Sequence, residues 1–378
     1  MRLMRAVYTP DTGWSPSEGG LEVGQPAHLV LVFGSRTLLS EPGCLEKLSA
    51  RHPGAVIFGC STAGEIAGTR VLDDSLVATA IAFEHTRIQA ATGAITSPDQ
   101  SAEVGFSLAK NLPSDGLSYV FLLSDGLCVN GSELVAGLTR GLPPGVLVTG
   151  GLSADGAAFS ETVVCSGGEI SRGRIGVVGF YGDRLRVGVG SMGGWDVFGP
   201  ERRITSSKAN VLKALDGQPA IELYRTYLGP HAKDLPASGL LFPLAVRDPA
   251  SSESLVRTIL SIDESGGMVF AGDMPEGHYA RLMRANFDRL VDGASGAARL
   301  CREKISTSPQ LAILISCVGR KLVLNQRVEE EVEAAAEVLG PEASITGFYS
   351  YGEISPLVAE ARCALHNQTM TITTLSEI

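Results

Sequence analysis

The frame Gly-x-x-x-x-Gly-Glu-Ile occurs twice in this chain, once near each end. It reads Gly59-Cys60-Ser61-Thr62-Ala63-Gly64-Glu65-Ile66 and then Gly347-Phe348-Tyr349-Ser350-Tyr351-Gly352-Glu353-Ile354. Each copy follows a β-type run, Ala55-Val56-Ile57-Phe58 and Ser344-Ile345-Thr346. Two glycines and a carboxylate at fixed spacing after a strand make a shaped loop, because glycine permits positive φ and close backbone approach. A chain that repeats such a loop has related halves, and the loop is a place where a ligand can sit.

The repetition extends upstream of both frames. The unbroken apolar run His28-Leu29-Val30-Leu31-Val32-Phe33 precedes the first copy, followed by Gly34-Ser35-Arg36. Leu311-Ala312-Ile313-Leu314-Ile315-Ser316 precedes the second, followed by Val318-Gly319-Arg320. Between run and loop lies a helical stretch, plainest where Val328, Val332, Ala335 and Leu339 recur at helical spacing with Glu329, Glu330, Glu333 and Glu337 elsewhere. Each unit is strand, helix, strand, glycine loop. A looser third version runs from Tyr119-Val120-Phe121-Leu122-Leu123 through a helix at 132–140 to Gly150-Gly151-Leu152-Ser153-Ala154-Asp155-Gly156. Continuous apolar strands joined by helices predict mixed sheets covered by helices.

A length of 378 residues exceeds one ordinary core and predicts more than one domain. After the second unit, the runs 175–181 and 185–190 predict a hairpin about Tyr181-Gly182-Asp183-Arg184. Ser207 then caps a predicted short helix ending at Gly217, and Pro219 opens another whose Ile221, Tyr224 and Leu228 share a face. A boundary falls near 196–206. The expected class is therefore α/β, with two domains, 1–200 and 201–378, built from βαβ-like repeats.

Charge and cysteine content narrow the function. A net charge of −10 argues against nucleic acid, since phosphate binding needs a positive field. No apolar run approaches the roughly 20 residues that span a bilayer, and the start lacks the apolar core of a signal peptide. The seven scattered cysteines include no Cys-x-x-Cys pair and fit a reduced, cytoplasmic setting.

Taken together, residues 59–66, 150–156, 194–228 and 347–356, with the closing Leu365-His366-Asn367-Gln368-Thr369-Met370-Thr371, resemble the FIST family, which pairs an N-terminal and a C-terminal FIST domain. The resemblance covers nearly the whole chain and implies a non-enzymatic sensory module that binds a small ligand and signals to a partner. Amino acids and their derivatives are the ligands usually proposed for the family. A branch of it binds haem b and senses nitric oxide, acting on a separate histidine kinase. With no room for an output domain after Ile378, the signalling partner is expected in trans, and a homodimer is left open.

Candidate contacts follow from the loops. Glu65 and Glu353 can accept bonds from a ligand amine or tie down neighbouring backbone N–H groups, and the second role is the simpler one. Ser61, Thr62, Tyr349 and Tyr351, with Gly64 and Gly352, form the remaining walls, the tyrosine-rich second loop being preferred for a flat ligand. A helix predicted over 276–292 places Asn286 amid its apolar face, as a tie or a ligand contact, with Arg281 and Arg284 opposite. Arg284 is kept as a candidate for a ligand carboxylate. His278 and His366 are the candidates for haem iron, each with an ordinary structural role as the alternative. Catalysis is not expected. Cys60 and Ser124 follow strands, but the Gly-x-Ser-x-Gly elbow is absent, and Glu65 and Glu353 occupy the place of a P-loop lysine. The leading expectation is a haem-based nitric oxide sensor, with an amino-acid-like metabolite next and a scaffold without ligand as the contrasting reading.

Overall fold

The computed structural model describes residues 1–19, 26–235, 237–250, 254–303, 305, 307–356 and 363–378. Three units share one plan. In the first, the fully buried strand Leu29–Gly34 pairs parallel with Val56–Ser61 and antiparallel with Leu76–Ala82, which pairs with Arg2–Thr9. The second repeats this with Leu117–Ser124, Leu147–Leu152, Arg174–Tyr181 and Arg87–Ala94. The third uses Leu311–Cys317, Ser344–Ser350, Met370–Glu377 and Leu185–Met192. A parallel pair needs a crossover, and helices Cys44–Arg51, Gly131–Gly141 and Val328–Leu339 supply it. The helical spacing of Val328, Val332, Ala335 and Leu339 is that of the third crossover, the last three of them buried.

The units are interlocked. After its glycine loop each chain segment makes a hairpin that joins the sheet of another unit. The hairpin Glu65–Ala67/Arg70–Leu72 adds to Ser344–Ser350, Val164–Ser166/Glu169–Ser171 adds to Val56–Ser61, and Gly352–Pro356/Cys363–His366 adds to Leu147–Leu152. First lends to third, third to second, second to first, so the exchange closes into a ring. The inward faces meet in one core, where Phe33, Phe58, Phe121, Phe180, Ile315 and Phe348 are buried together. These mixed sheets covered by helices are the α/β class expected.

The opening glycine of each loop has a steric cause. A Cβ on Gly59 would stand 1.7 Å from the Val32 carbonyl oxygen, on Gly150 1.8 Å from that of Leu122, and on Gly347 1.9 Å from that of Leu314. The same close approach in all three units fixes their register against one another. It makes Thr62, Ser153 and Ser350 counterparts, and likewise Glu65, Gly156 and Glu353.

Strands between Asp196 and Arg284 form a separate nine-stranded sheet with its own core around Leu212, Tyr224, Met268 and Phe270. This sheet is inserted between the first strand of the third unit and the helix Phe287–Glu303. Strand pairing runs across residue 200: Leu185–Met192 lies beside Met370–Glu377, so the sheets do not separate at the 1–200/201–378 division.

Three local expectations are corrected. The runs about Tyr181–Arg184 are not a hairpin, because Arg174–Tyr181 and Leu185–Met192 belong to different sheets and the turn is a passage between units. Ser207 starts no helix; Arg202–Lys208 and Val211–Leu215 are antiparallel strands, with Leu212 and Leu215 buried and Lys213 exposed between them. Residues 276–292 are not one helix. Tyr279–Arg284 is a strand against Leu244–Arg247, with Ala280 and Leu282 buried and Arg281 exposed, and the helix begins at Phe287. The helix after Pro219 is present as Ala220–Leu228, with Ile221, Tyr224 and Leu228 buried.

Candidate functional site

The three glycine loops meet. Ala63 N donates to the Tyr349 carbonyl at 2.8 Å, Ala154 N to that of Ser61 at 2.9 Å, and Tyr351 N to that of Leu152 at 3.3 Å. Tyr349 N also donates to the Gly64 carbonyl at 2.8 Å, so every loop is bonded to both of the others through its backbone.

Both motif carboxylates lie inside this junction. Glu65 is 1% exposed and accepts from Thr62 Oγ1 at 2.5 Å and Ser75 Oγ at 2.6 Å. Burial pushes its carboxyl up to about 7 against those bonds and the charge of Lys321. Glu353, fully buried, accepts from Ser350 Oγ at 2.7 Å and from Thr369 N and Oγ1 at 3.1 and 2.9 Å. Burial pushes it to about 8, opposed by the same bonds and by Arg320. Each acid ties its own loop to the start of the next strand.

The loop tyrosines are also engaged. Tyr349 Oη donates to Glu331 Oε1 at 2.7 Å, and Glu331 is paired with Arg320, both side chains fully buried. Arg320 further donates to the carbonyls of Gly193 and Leu290, each at 2.7 Å. Tyr351 Oη donates to Asp155, and its ring stacks on Phe159 with centroids 4.4 Å apart. Burial raises the Asp155 carboxyl, but bonds from Tyr351, Glu161 N and Ser160 outweigh this and hold it below its usual range. Ser61 Oγ accepts from Val163 N at 3.0 Å, and Gly352 is buried against Leu365 and Leu152.

A cavity of about 190 Å³ opens beside the first loop. Ser35, Arg36, Thr62, Gly64, Asp74 and Asp155 contribute to its wall, as do Glu65 and Asp73. Arg36 Nη1 is 3.3 Å from Glu161, while Asp73 pairs with Lys321, whose Nζ also donates to the Ala63 carbonyl at 2.8 Å. Gly64, at φ +130°, leaves the space that Lys321 Nζ fills, since a Cβ there would be 2.3 Å from it. Asp74 takes a left-handed φ of 48° and makes no ion pair among the described residues. The cavity wall thus brings one arginine, Arg36, together with the acids Glu65, Asp73, Asp74 and Asp155 and with the hydroxyls of Ser35, Thr37, Thr62 and Ser160.

Residues 28–218 match the family model described as the FIST N domain, and residues 220–356 that of the FIST C domain. The chain belongs to the FIST family. FIST domains are small-ligand sensory domains of signalling proteins. No curated protein matches this FIST chain. Among solved structures, it is similar to a cyanuric acid hydrolase from A. caulinodans at 10% identity, over 77% of this chain and 99% of that one, with a TM-score of 0.18.

The other candidates of this FIST protein lie elsewhere. Asn286 donates from Nδ2 to Asp196 at 3.0 Å and accepts from Arg289 N at 3.3 Å, so it ties the start of the helix. Arg284 is exposed on its strand, with the guanidinium 5.9 Å from the Phe198 ring centre. His278 Nε2 is 3.6 Å from the Asp248 carboxylate in the inserted sheet. His366 is 2% exposed, its Nε2 lies 2.8 Å from the Ser355 carbonyl, and burial holds the ring down to about 4. Neither histidine forms part of the wall of the 190 Å³ cavity or of the larger cavities of about 570 and 490 Å³. These two imidazoles do not fit a haem site, which needs a ring nitrogen free to face a roomy cavity.

Sequence reasoning missed Asp73 and Asp74 in the cavity and the buried Arg320–Glu331 pair. Arg36 was missed as well, although it follows the first apolar run as Arg320 follows the third.

Proposed function

We propose that this FIST protein is a non-enzymatic cytoplasmic sensor that takes an amino-acid-like zwitterion in the cavity beside the first glycine loop and signals to a separate protein. The observation that carries this reading is the presence of both signs of charge in the cavity wall. Arg36 suits a carboxylate, Asp74, which has no ion pair among the described residues, suits an ammonium, and Ser35 offers a hydroxyl. At about 190 Å³ the space is below the ~300 Å³ at which drug-sized ligands begin. The expected site thereby moves from the second loop, whose tyrosine hydroxyls are spent on Glu331 and Asp155, to the first.

The wall draws on the first unit and, through Asp155 and Ser160, on the second. A ligand that touches both favours the arrangement in which both are in place, which is the differential affinity a sensor needs. The side chains weighed as nucleophiles support binding rather than catalysis. Cys60 is buried with its thiol pushed well up by desolvation, and Ser124 Oγ donates to the neighbouring Asp125 carbonyl at 3.0 Å.

The test is a thermal-shift screen of the standard L-amino acids, followed by calorimetry on wild type, Arg36→Ala and Asp74→Asn. A ligand at 100 times its Kd contributes about 2.7 kcal/mol, a rise of about 3 °C for a chain of this size. The rise should vanish in both variants while their unliganded melting temperatures stay near wild type. No stabilising amino acid, or equal stabilisation of the variants, defeats the proposal. A Soret band after haem loading that shifts with nitric oxide would replace it with the haem reading.

A further inference from the structure

The larger cavity, about 570 Å³, lies where the inserted sheet meets the ring of units. Its wall is shared by Ala136 and Arg140 of helix Gly131–Gly141, Leu255 and Arg257 of strand Ser254–Arg257, and Ala364 and Leu365 of the exchanged strand Cys363–His366. The described lining holds two arginines and no carboxylate, in a chain whose net charge is −10.

Arg257 is 4% exposed, yet no carboxylate of the described residues lies within 4 Å of it. Its Nε donates to the Asp273 carbonyl at 3.3 Å, and Nη1 to the carbonyls of Leu365 at 2.9 Å and Val256 at 3.4 Å. All three acceptors are neutral. Nη2 has no acceptor among the described residues. Burial lowers this guanidinium to about 10, offset in part by the charge of Asp273, whose Oδ1 is already engaged by Asn130 Nδ2 at 2.7 Å. The backbone makes room for the group: a Cβ on Gly272 would be 2.9 Å from Arg257 Nε and 3.0 Å from its Cζ.

A buried cation is retained only where something compensates it. Neutral carbonyls engage Nε and Nη1 and leave Nη2, on a residue that lines a cavity with largely aliphatic walls, as the donor without an acceptor among the described residues. A charged N–H donor of this kind makes its strongest hydrogen bonds to a carboxylate oxygen. We propose that this cavity binds a small organic monocarboxylate, its charged end on Arg257 and its apolar body against Ala136, Leu255 and Leu365. The size falls within the ~300–1,000 Å³ range of small-molecule sites. No residue is shared with the first-loop cavity, so this site stands or falls separately.

Calorimetry on the full chain with octanoate and benzoate, against octanamide, benzamide and inorganic phosphate, tests it. At least one carboxylate should bind saturably, its amide at least tenfold more weakly, and phosphate no better than the amide. Arg257→Met should weaken the carboxylate at least tenfold. Ala136→Trp, on the open helix face, should block it while leaving the circular dichroism and melting temperature unchanged. If Arg257→Met fails to fold, the Ala136→Trp and amide comparisons still decide. Binding by neither carboxylate, equal binding of the amide or of phosphate, or unchanged binding to Ala136→Trp overturns the proposal.

Discussion

Replacing Glu353 by Gln should make this protein more stable at alkaline pH and leave it almost unchanged near pH 5. The unfolded carboxyl titrates near 4.5 and the folded one near 8, because burial disfavours the charge more than its three hydrogen bonds and Arg320 favour it. Between these values the unfolded chain binds fewer protons than the folded one. Stability therefore falls as pH rises through that window and is level above it. At about 1.4 kcal/mol per pH unit, the full loss is at most about 5 kcal/mol. Glutamine keeps the geometry: its carbonyl can accept from Thr369 N and Oγ1, and its amide can donate to Ser350 Oγ, whose hydroxyl is free to rotate. With an unfolding entropy of about 0.8 kcal/mol per degree for a chain of this length, the variant should melt up to about 6 °C above wild type at pH 9. The assay is scanning calorimetry from pH 5 to 9 at fixed ionic strength. A difference that stays constant across that range, or a variant less stable than wild type at pH 9, would refute the reasoning.

Two further substitutions probe other buried charges. Glu331→Gln strips the partner from the fully buried Arg320 and should cost about 3–5 kcal/mol, while converting both residues to Met should recover part of the loss, read from urea midpoints. Glu377 behaves oppositely to Glu353. Burial raises it, but Glu84 N, His85 N, Thr86 N and Thr86 Oγ1 donate to it and hold it near 2, so its contribution is present above pH 4.5 and fades as pH falls toward 2. Glu377→Gln should cost about 2 kcal/mol at pH 7, and its deficit against wild type should close in acid.

Much of the ring was legible in the chain because its signals are local. Apolar strands, a helix between them and a glycine loop can all be read residue by residue, and three copies confirm one another. The hairpin exchange was not legible, since Glu65–Ala67 carries nothing that names Ser344–Ser350 as its partner. The inserted sheet misled for a different reason: short strands such as Tyr279–Arg284 place apolar residues at spacings that also fit a helix. Glu331 left a signal that went unread. It lies three residues after Val328 and four before Ala335, on the helix face that packs inward, and a carboxylate there requires a buried partner.

The three units also separate framework from recognition. Glu65 and Glu353 find hydroxyls on Ser75 and Thr369, which precede equivalent strands and whose carbonyls accept from equivalent residues, Ser35 N and Cys317 N. In the second unit the acid's place is taken by Gly156 and the hydroxyl's by Arg174, whose carbonyl accepts from Asp125 N. Both halves of the tie are lost together, as expected if each acid serves its hydroxyl partner. Just before these positions Asp74, Gly173 and Gln368 share a left-handed backbone, at φ 48°, 55° and 63°. Of these three residues only Asp74 is charged, and of Gly64, Asp155 and Gly352, which share a place in the loops, only Asp155 is. Both charges face the first-loop cavity. What repeats builds the junction of loops, and what departs from the repeat supplies the charge that a ligand would meet.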